Sequence, residues 1–147
     1  MLGNYPQGRQ KGALVPMLIY AQDEVGAITP ELVTELAGRL QVKRIEVEEV
    51  VEFYSMLHRK QLGKHHIQIC TNIACQITGG EEIWAHACRN LGIGHKQVTE
   101  DGLFSLEEVE CVGACSWAPA IQDGYEFHHH MTPENLDRLI DGLRRLQ

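Results

Sequence analysis

Two short stretches decide how this sequence folds: ICTNIACQ at residues 69–76 and VECVGACS at residues 109–116. In the first stretch four residues separate two cysteines, and in the second three residues do so. Each pair follows an apolar alternation that predicts a β-strand ending in a loop. Such pairs are typical of a disulfide framework, a zinc site, a dithiol reaction centre or an iron–sulfur cluster. The paired cysteines are Cys70, Cys75, Cys111 and Cys115.

The composition is that of a globular protein that does not bind nucleic acid. Of the 147 residues, 44% are hydrophobic and 22% are charged, and the formal net charge is -7. Binding to DNA, RNA or an anionic membrane needs a concentrated basic face, and this acidic balance argues against one. We therefore expect no nucleic-acid partner.

Thiol chemistry depends on the cellular compartment, which the sequence also indicates. The first residues, MLGNYPQGRQKGALVPM, contain no apolar run as long as that of a secretory signal. No stretch approaches the roughly 20 apolar residues that a membrane span needs. We therefore expect a cytoplasmic protein without direct membrane insertion. Cytosolic thiols stay reduced, which favours metal or redox chemistry over structural disulfides.

The first third of the chain has the pattern of three helices. The first begins near residue 14 and stops at Gly26. The second begins with Thr29 as N-cap and Pro30 at the first helical position. The third begins near Glu46, because acidic side chains favour the positive end of a helix.

The remainder of the chain mixes strands and helices. A strand is predicted to end at Cys70, a helix covers 79–91, and a last helix begins at Thr132. Asp-Gly pairs, which suit tight hairpin turns, stand at two places, Asp101-Gly102 and Asp123-Gly124. We predict an α/β (α+β) fold with an N-terminal three-helix domain over 1–62. Residues 63–147 are expected to form a thioredoxin-like domain, in which helices pack on a small mixed sheet.

The two cysteine loops converge if the strands before them are neighbours in one sheet. Four thiolates in a compact space suit zinc or an iron–sulfur cluster. Zinc sites favour shorter loops, whereas the wider [2Fe–2S] cluster suits a loop of four residues. Spacing alone leaves zinc, iron–sulfur, disulfides and unligated thiols open. A thioredoxin-type reaction centre needs C-x-x-C, which this sequence lacks.

Four stretches resemble the NuoE family, the E-type subunits of bacterial respiratory NADH:quinone oxidoreductase, or complex I. They are GKHHIQICTNIACQITGGEEI at 63–83, DGLFSLEEVECVGACSWAP at 101–119, EFYSML at 52–57 and TPENLDRLI at 132–140. The resemblance extends over nearly the whole chain from Ala13 onward. It implies a thioredoxin-like [2Fe–2S] ferredoxin domain behind a helical N-terminal domain. Carried over position by position, it implies a cluster on Cys70, Cys75, Cys111 and Cys115.

The resemblance also implies a function and partners. The chain would be a non-catalytic electron-transfer component of an NADH dehydrogenase, exchanging electrons with FMN on a flavin- and NADH-binding partner. FMN and NADH are expected on that partner, because GIG at 92–94 lacks the rest of a dinucleotide fingerprint. The assembly would include other peripheral-arm subunits and lie on the cytoplasmic side of the inner membrane.

Two alternatives remain at this stage. Within the same class, close relatives serve NAD-reducing hydrogenases and NAD-dependent formate dehydrogenases. From another class, a zinc-stapled interaction module would explain four thiols without a catalytic motif.

Three places depart from the usual pattern of the family. Thr78 stands where many members have a basic residue, and Ser116-Trp117 replaces a more usual Gly-Leu. The run of histidines at 128–130 is unusual, and we expect these side chains to face solvent. Trp117 is expected to pack locally, to shield the cluster or to contact a partner.

Other candidate residues have simpler structural interpretations. Cys88 lies on the apolar face of the helix predicted over 79–91, so we expect a packing residue and not a fifth ligand. His65 and His66 flank the start of a strand and are expected at the surface. A solvated face is expected for Glu107, Glu108 and Glu110, and a core between helices for Phe53, Tyr54 and Met56.

Overall fold

The computed structural model describes residues 2–146. The chain divides into two compact units, Met1–Gln61 and Leu62–Gln147. The first unit contains the helices α1 (Leu14–Val25), α2 (Pro30–Leu40) and α3 (Arg44–Phe53), preceded by short 3-10 turns at Leu2–Asn4 and Gln10–Ala13. The second unit contains β1 (His65–Cys70), α4 (Ile73–Ile77), α5 (Gly80–Leu91), β2 (Gln97–Val98), β3 (Phe104–Val109), β4 (Ile121–Asp123), β5 (Glu126–His128) and α6 (Pro133–Arg145).

Local sequence signals fix the ends of α1 and α2. Helix α1 stops at Gly26, whose φ of 88° is the left-handed conformation that glycine adopts at low cost. The Thr29 hydroxyl accepts a hydrogen bond from the Leu32 amide at 3.3 Å, and Pro30 occupies the first turn of α2. Both predicted boundaries are confirmed. The three helices bury a common apolar core that includes Leu18, Val33 and Val47.

Helix α3 begins two residues before the predicted start. It opens at Arg44, and the Glu46 carboxylate accepts a hydrogen bond from the Lys43 backbone amide at 2.9 Å. Glu46 is therefore the third residue of the helix, reaching back to its start as in a capping box. An acidic residue marked the right turn of the helix but not its first residue.

The segment after α3 corrects another expectation. Phe53 is 80% exposed and Met56 is 48% exposed, so these two side chains do not form an interhelical core. Tyr54 is partly buried against the apolar cluster of the first unit, as expected. The apolar pattern of this stretch therefore has one inward-facing member.

The second unit is built on a five-stranded mixed sheet in the order β2-β3-β1-β4-β5. Strands β1 and β3 are parallel, and the other neighbours are antiparallel. The Asp-Gly pairs lie in the β2–β3 and β4–β5 hairpins, which confirms both predicted turns. Thr132 caps α6 by accepting from the Asn135 amide at 3.2 Å.

One face of the sheet carries the main apolar core. Ile67 and Ile69 on β1 and Phe104 and Leu106 on β3 alternate onto the same side, where α5 and α6 supply the facing side chains. Ile140 of α6 is fully buried in this cluster. No helix within residues 2–146 combines the length and apolar character needed to cross a bilayer.

Two short elements in the second unit were not predicted. Helix α4 covers five residues and contains Cys75, and a 3-10 turn covers Cys115–Trp117. Elements this short do not complete the two turns that a helical period needs to be seen in a sequence. Each of them places one of the paired cysteines.

Candidate metal centre

The sheet brings the two cysteine loops to one edge. Cys70 ends β1 and lies opposite Val109, which ends β3. Because the strands are parallel neighbours, the chain leaves both at the same end of the sheet. The predicted convergence of the two loops therefore has its structural basis in this pair of strands.

Hydrogen bonds tie the loops together beyond the last paired residues. The Thr71 amide donates to the Val109 carbonyl at 3.2 Å, and the Thr71 hydroxyl donates to the Glu108 carboxylate at 2.9 Å. The Cys70 thiol donates to the Glu110 carbonyl at 3.7 Å. The spacing between the first and second cysteine pairs is thus fixed by main-chain and side-chain contacts.

Cys70 and Cys75 form the buried side of the site. They are 2% and 1% exposed, and they pack with Ala114 and Ala120. Burial raises the pKa of the Cys75 thiol to about 11, against a lowering by the backbone of Ala120. The adjacent Cys70 raises this pKa further, and the charge of Cys115 makes a smaller contribution in the same direction.

Cys111 and Cys115 form the exposed side. Their sulfur atoms are 4.0 Å apart, and the Gly113 amide donates to the Cys111 sulfur at 3.2 Å. Gly113 has a φ of 76°, which favours glycine and turns this N–H towards the sulfur. The hydrogen bond with Cys111 is the main reason that the pKa of Cys115 is raised, and the charge of Cys70 adds to it.

The thiols therefore stand as two close pairs that influence each other electrostatically. All are free of disulfide bonds. Thiolates on one tetrahedral metal with bonds of about 2.3 Å are about 3.8 Å apart, close to the 4.0 Å between Cys111 and Cys115. Within residues 2–146, no three Cys, His, Asp or Glu side chains are gathered around a point suited to a single metal ion. A paired, all-thiol donor set fits a [2Fe–2S] cluster, in which each iron takes two thiolates.

Similarity to known proteins decides the family. A family model described as thioredoxin-like [2Fe-2S] ferredoxin matches residues 1–144. The chain belongs to this family.

The curated relatives of this thioredoxin-like ferredoxin are components of one kind of complex. NADH-quinone oxidoreductase subunit 2 of Thermus thermophilus is 40% identical over 141 residues, covering 95% of this chain and 78% of the relative. The second of the E-type NADH-quinone oxidoreductase subunits of Rhizobium meliloti is 37% identical over 140 residues, covering 95% and 82%. The predicted membership of the NuoE family is therefore confirmed.

A solved structure shares the fold of this ferredoxin at low sequence identity. An NAD+-reducing [NiFe]-hydrogenase in the air-oxidised state superposes with a TM-score of 0.79 and 18% identity. The match covers 91% of this chain but 23% of the hydrogenase chain. At that identity the likeness supports the thioredoxin-like fold and carries no argument about activity.

The positions that depart from the family pattern have definite places. The Thr78 hydroxyl donates to the Ala74 and Cys75 carbonyls at 2.8 and 3.1 Å, so it closes the last turn of α4. Trp117 is 52% exposed, and its ring stacks on that of His129 with centroids 5.2 Å apart. His129 and His130 are exposed, as expected, whereas His128 is partly buried.

Cys88 is not brought to the metal centre. It is partly buried against the core of the sheet, and burial is the main cause of its raised pKa. The expectation of a packing residue on α5 is confirmed.

A buried polar cluster beside the site was missed. Glu107 is 6% exposed and Ser105 is 1% exposed. The Glu107 carboxylate lies 3.1 Å from His66 Nε2 and accepts from the Gln68 amide at 3.0 Å, while Ser105 lies 2.8 Å from His66 Nδ1. Glu107 is therefore not part of a solvated face, and His66 is not a surface residue.

His65 is also more buried than predicted. Its Nδ1 lies 3.2 Å from the Asp123 carboxylate, and its side chain is 16% exposed. The signal that could have given both corrections was the sheet itself. Strands β1 and β3 each have a neighbour on both sides, and parallel strands are usually covered on both faces.

Proposed function

We propose that this chain is the [2Fe–2S] electron-transfer component of an NADH:quinone oxidoreductase, complex I, and that it exchanges single electrons with the FMN of a partner NADH-binding subunit. The observation that carries the proposal is the meeting of two cysteine pairs at the end of β1 and β3 in a chain of the ferredoxin family. The role is non-catalytic, since the chain would hold an electron carrier and bind no substrate.

The proposed ligands are Cys70 and Cys75 on the buried side and Cys111 and Cys115 on the exposed side. When bound, a [2Fe–2S] cluster supplies a one-electron couple without moving an atom of a substrate. The loops place the donors before any metal arrives, because the contacts of Thr71 and Cys70 fix their separation.

The surrounding backbone stabilises negative charge on the sulfurs. The Gly113 amide donates to Cys111, and the Ala120 backbone lowers the cost of ionising Cys75. Amides that point at thiolates favour the more negative, reduced state and raise the potential. Burial of Cys70 and Cys75 acts in the opposite direction, because charge in an apolar environment is unfavourable.

The two sides of the site have different tasks. The buried pair excludes water and anchors the site to the sheet, whereas the exposed pair gives electrons a route to a partner surface. FMN and NADH belong on the flavin- and NADH-binding partner. The assembly would be peripheral, on the cytoplasmic side of the inner membrane with the other peripheral-arm subunits.

The rival assignments lead to different observations. A zinc-stapled interaction module would be colourless, and family membership speaks against it. The equivalent component of an NAD-reducing hydrogenase or formate dehydrogenase would hold the same cluster but purify with different subunits.

Purification of the assembled complex from its native host, through a tag on this chain, tests the proposal. We expect FMN and quinone-reductase activity to co-purify. NADH should bleach the visible absorbance of the complex, whereas the free chain should be bleached by dithionite but not by NADH. A colourless chain, or a complex without FMN, would contradict the proposal.

A further inference from the structure

An open stack of aromatic rings lies beside the exposed cysteines. The rings of Trp117 and His129 are 5.2 Å apart at an interplanar angle of 27°, and those of His129 and Phe127 are 6.4 Å apart at 25°. Trp117 is 52% exposed and Phe127 is 47% exposed. We call Trp117, His129 and Phe127 the aromatic stack. Trp117 follows Cys115 by two residues, so the stack borders the exposed side of the metal centre.

The main chain holds the stack in place. The His130 amide donates to the Trp117 carbonyl at 2.9 Å, and the Met131 amide donates to the Pro119 carbonyl at 3.0 Å. Met131 is buried in the core of the sheet and anchors this segment. Because the rings are positioned before any partner arrives, binding to them would cost little conformational entropy.

Helix α4 presents a second apolar edge next to the same site. Ile73 and Ile77 are 68% and 77% exposed, and their i, i+4 spacing places them on one side of the helix. Helix α4 packs against the 3-10 turn Cys115–Trp117. Single exposed apolar residues are ordinary, but a group of them around one site marks an interaction surface.

The charge around this surface is of one sign. Segments 65–88 and 97–137 contain no Lys or Arg. Glu81 accepts a hydrogen bond from Gln76 of α4 at 2.7 Å, and Glu126 lies on the strand that carries Phe127. A partner that matched this surface would carry basic residues around an apolar centre. An arginine would fit especially well, because it pairs with carboxylates and stacks on aromatic rings.

We propose that the aromatic stack, together with Ile73 and Ile77, is the docking face for the FMN-bearing partner, which meets it with an apolar centre and a basic rim. The inference rests on the proposed function and adds the surface and its chemistry. Trp117 and His129 stand where the sequence departs from its family pattern, so the stack makes docking selective for this chain's own partner. Docking also shields the exposed Cys111 and Cys115 from water.

The test compares variants of the docking face in the complex purified through a tag on this chain. The variants are Ile73→Ser/Ile77→Ser and Trp117→Leu, and the control is Leu146→Ser, which changes a side chain that is 71% exposed on a different element. For each we would measure iron per chain, FMN per chain, and bleaching by NADH and by dithionite.

We expect both docking-face variants to bind the partner roughly tenfold or more weakly. FMN recovery and bleaching by NADH should fall, while iron content and bleaching by dithionite stay at the wild-type level. Leu146→Ser should match the wild type. If the docking-face variants kept FMN and NADH bleaching, the inference would be overturned and the proposed function would stand. If even the wild type lacked FMN and NADH bleaching, the proposed function itself would fail.

Two further measurements cover the remaining outcomes. If Ile73→Ser/Ile77→Ser lost iron, Trp117→Leu and the single change Ile77→Ser would decide by the same criteria. Partner affinity should weaken as salt rises from about 0.05 to about 0.5 M, and a flat response would contradict the basic rim. Light scattering of the free chain should show a monomer. A dimer abolished by Ile73→Ser/Ile77→Ser would assign the face to a second copy and overturn the inference.

Discussion

Thr71 and Glu108 are joined by a hydrogen bond of 2.9 Å between hydroxyl and carboxylate, which links the residue after Cys70 to the strand that leads to Cys111. The bond holds the two cysteine loops at one separation. We predict that Thr71→Val lowers the free energy of unfolding by about 0.5–1.5 kcal/mol. It should also shorten the lifetime of the cluster in the presence of a chelator by roughly fivefold. Loss of visible absorbance with time measures the second effect.

Thr34 supplies the matched control for this prediction. Its hydroxyl donates to the Pro30 carbonyl at 2.9 Å within α2, far along the chain from the cysteines. Thr34→Val removes a hydroxyl of the same kind and should leave the cluster lifetime unchanged. Equal lifetimes for wild type and Thr71→Val would show that the loops do not depend on this bond.

Cys75 and Cys88 should differ sharply when each is replaced by serine. Cys75 belongs to the proposed ligand set, whereas Cys88 packs against the core of the sheet. Cys75→Ser should lose most of its iron and a large part of its stability together, because metal binding and folding are linked. Cys88→Ser should keep its iron. Full iron content in Cys75→Ser, measured by metal analysis and thermal unfolding, would remove Cys75 from the ligand set.

Gly80 leaves no room for a side chain beside the buried cysteines. A Cβ at this position would lie 2.7 Å from the Cys70 carbonyl oxygen and 2.9 Å from the Cys75 carbonyl oxygen. Gly80→Ala should therefore displace these backbones, lower the free energy of unfolding by about 1–3 kcal/mol and reduce iron retention.

Gly142 in α6 is the control for Gly80, since a Cβ there would meet open space. Gly142→Ala should stabilise the helix by about 0.5–1 kcal/mol and leave the iron content unchanged. Denaturant unfolding of both variants checks the two signs. A Gly80→Ala protein as stable and iron-rich as the wild type would contradict the close packing at Cys70 and Cys75.

The contact between α5 and α6 should give stability a dependence on acid pH. His86 Nε2 lies 2.8 Å from the Asp137 carboxylate, and this interaction is the main reason that the pKa of Asp137 is lowered. The folded pKa lies below the unfolded value of about 3.9, so the contribution is present above that pH and is lost as pH falls through the folded pKa.

Asp137→Asn tests this dependence. The wild type should be more stable than the variant near neutral pH, and the difference should shrink as pH falls below about 4. Unfolding midpoints measured across that range provide the comparison. A difference that stayed constant with pH would contradict a charged Asp137 as its cause.

Much of the fold was predictable because its signals are local. Thr29 and Thr132 cap helices through their own hydroxyls, and Gly26 ends α1 through its own backbone freedom. The positions of Asp101-Gly102 and Asp123-Gly124 likewise fixed two hairpins. Such features depend on a few neighbouring residues, so they can be recognised in a single sequence.

The errors fall where distant contacts decide. Glu107 has the sequence context of a solvated acidic run, but its partners His66 and Gln68 lie about 40 residues earlier in the chain, on a neighbouring strand. Cys75 was placed in a loop because α4 is too short to show a helical period. Spacing also left zinc and iron–sulfur open, since both accept four thiolates. The resemblance to a family narrowed that choice, and the pairing of the sulfurs agrees with it.

The central claim is that two cysteine pairs together hold a binuclear iron–sulfur cluster. Iron and sulfide analysis combined with electron paramagnetic resonance of the purified full chain tests it most directly. We predict two irons and two sulfides per chain, no signal in the oxidised state, and one unpaired electron per chain after dithionite. A single zinc ion, or reduced protein without an unpaired electron, would contradict the claim.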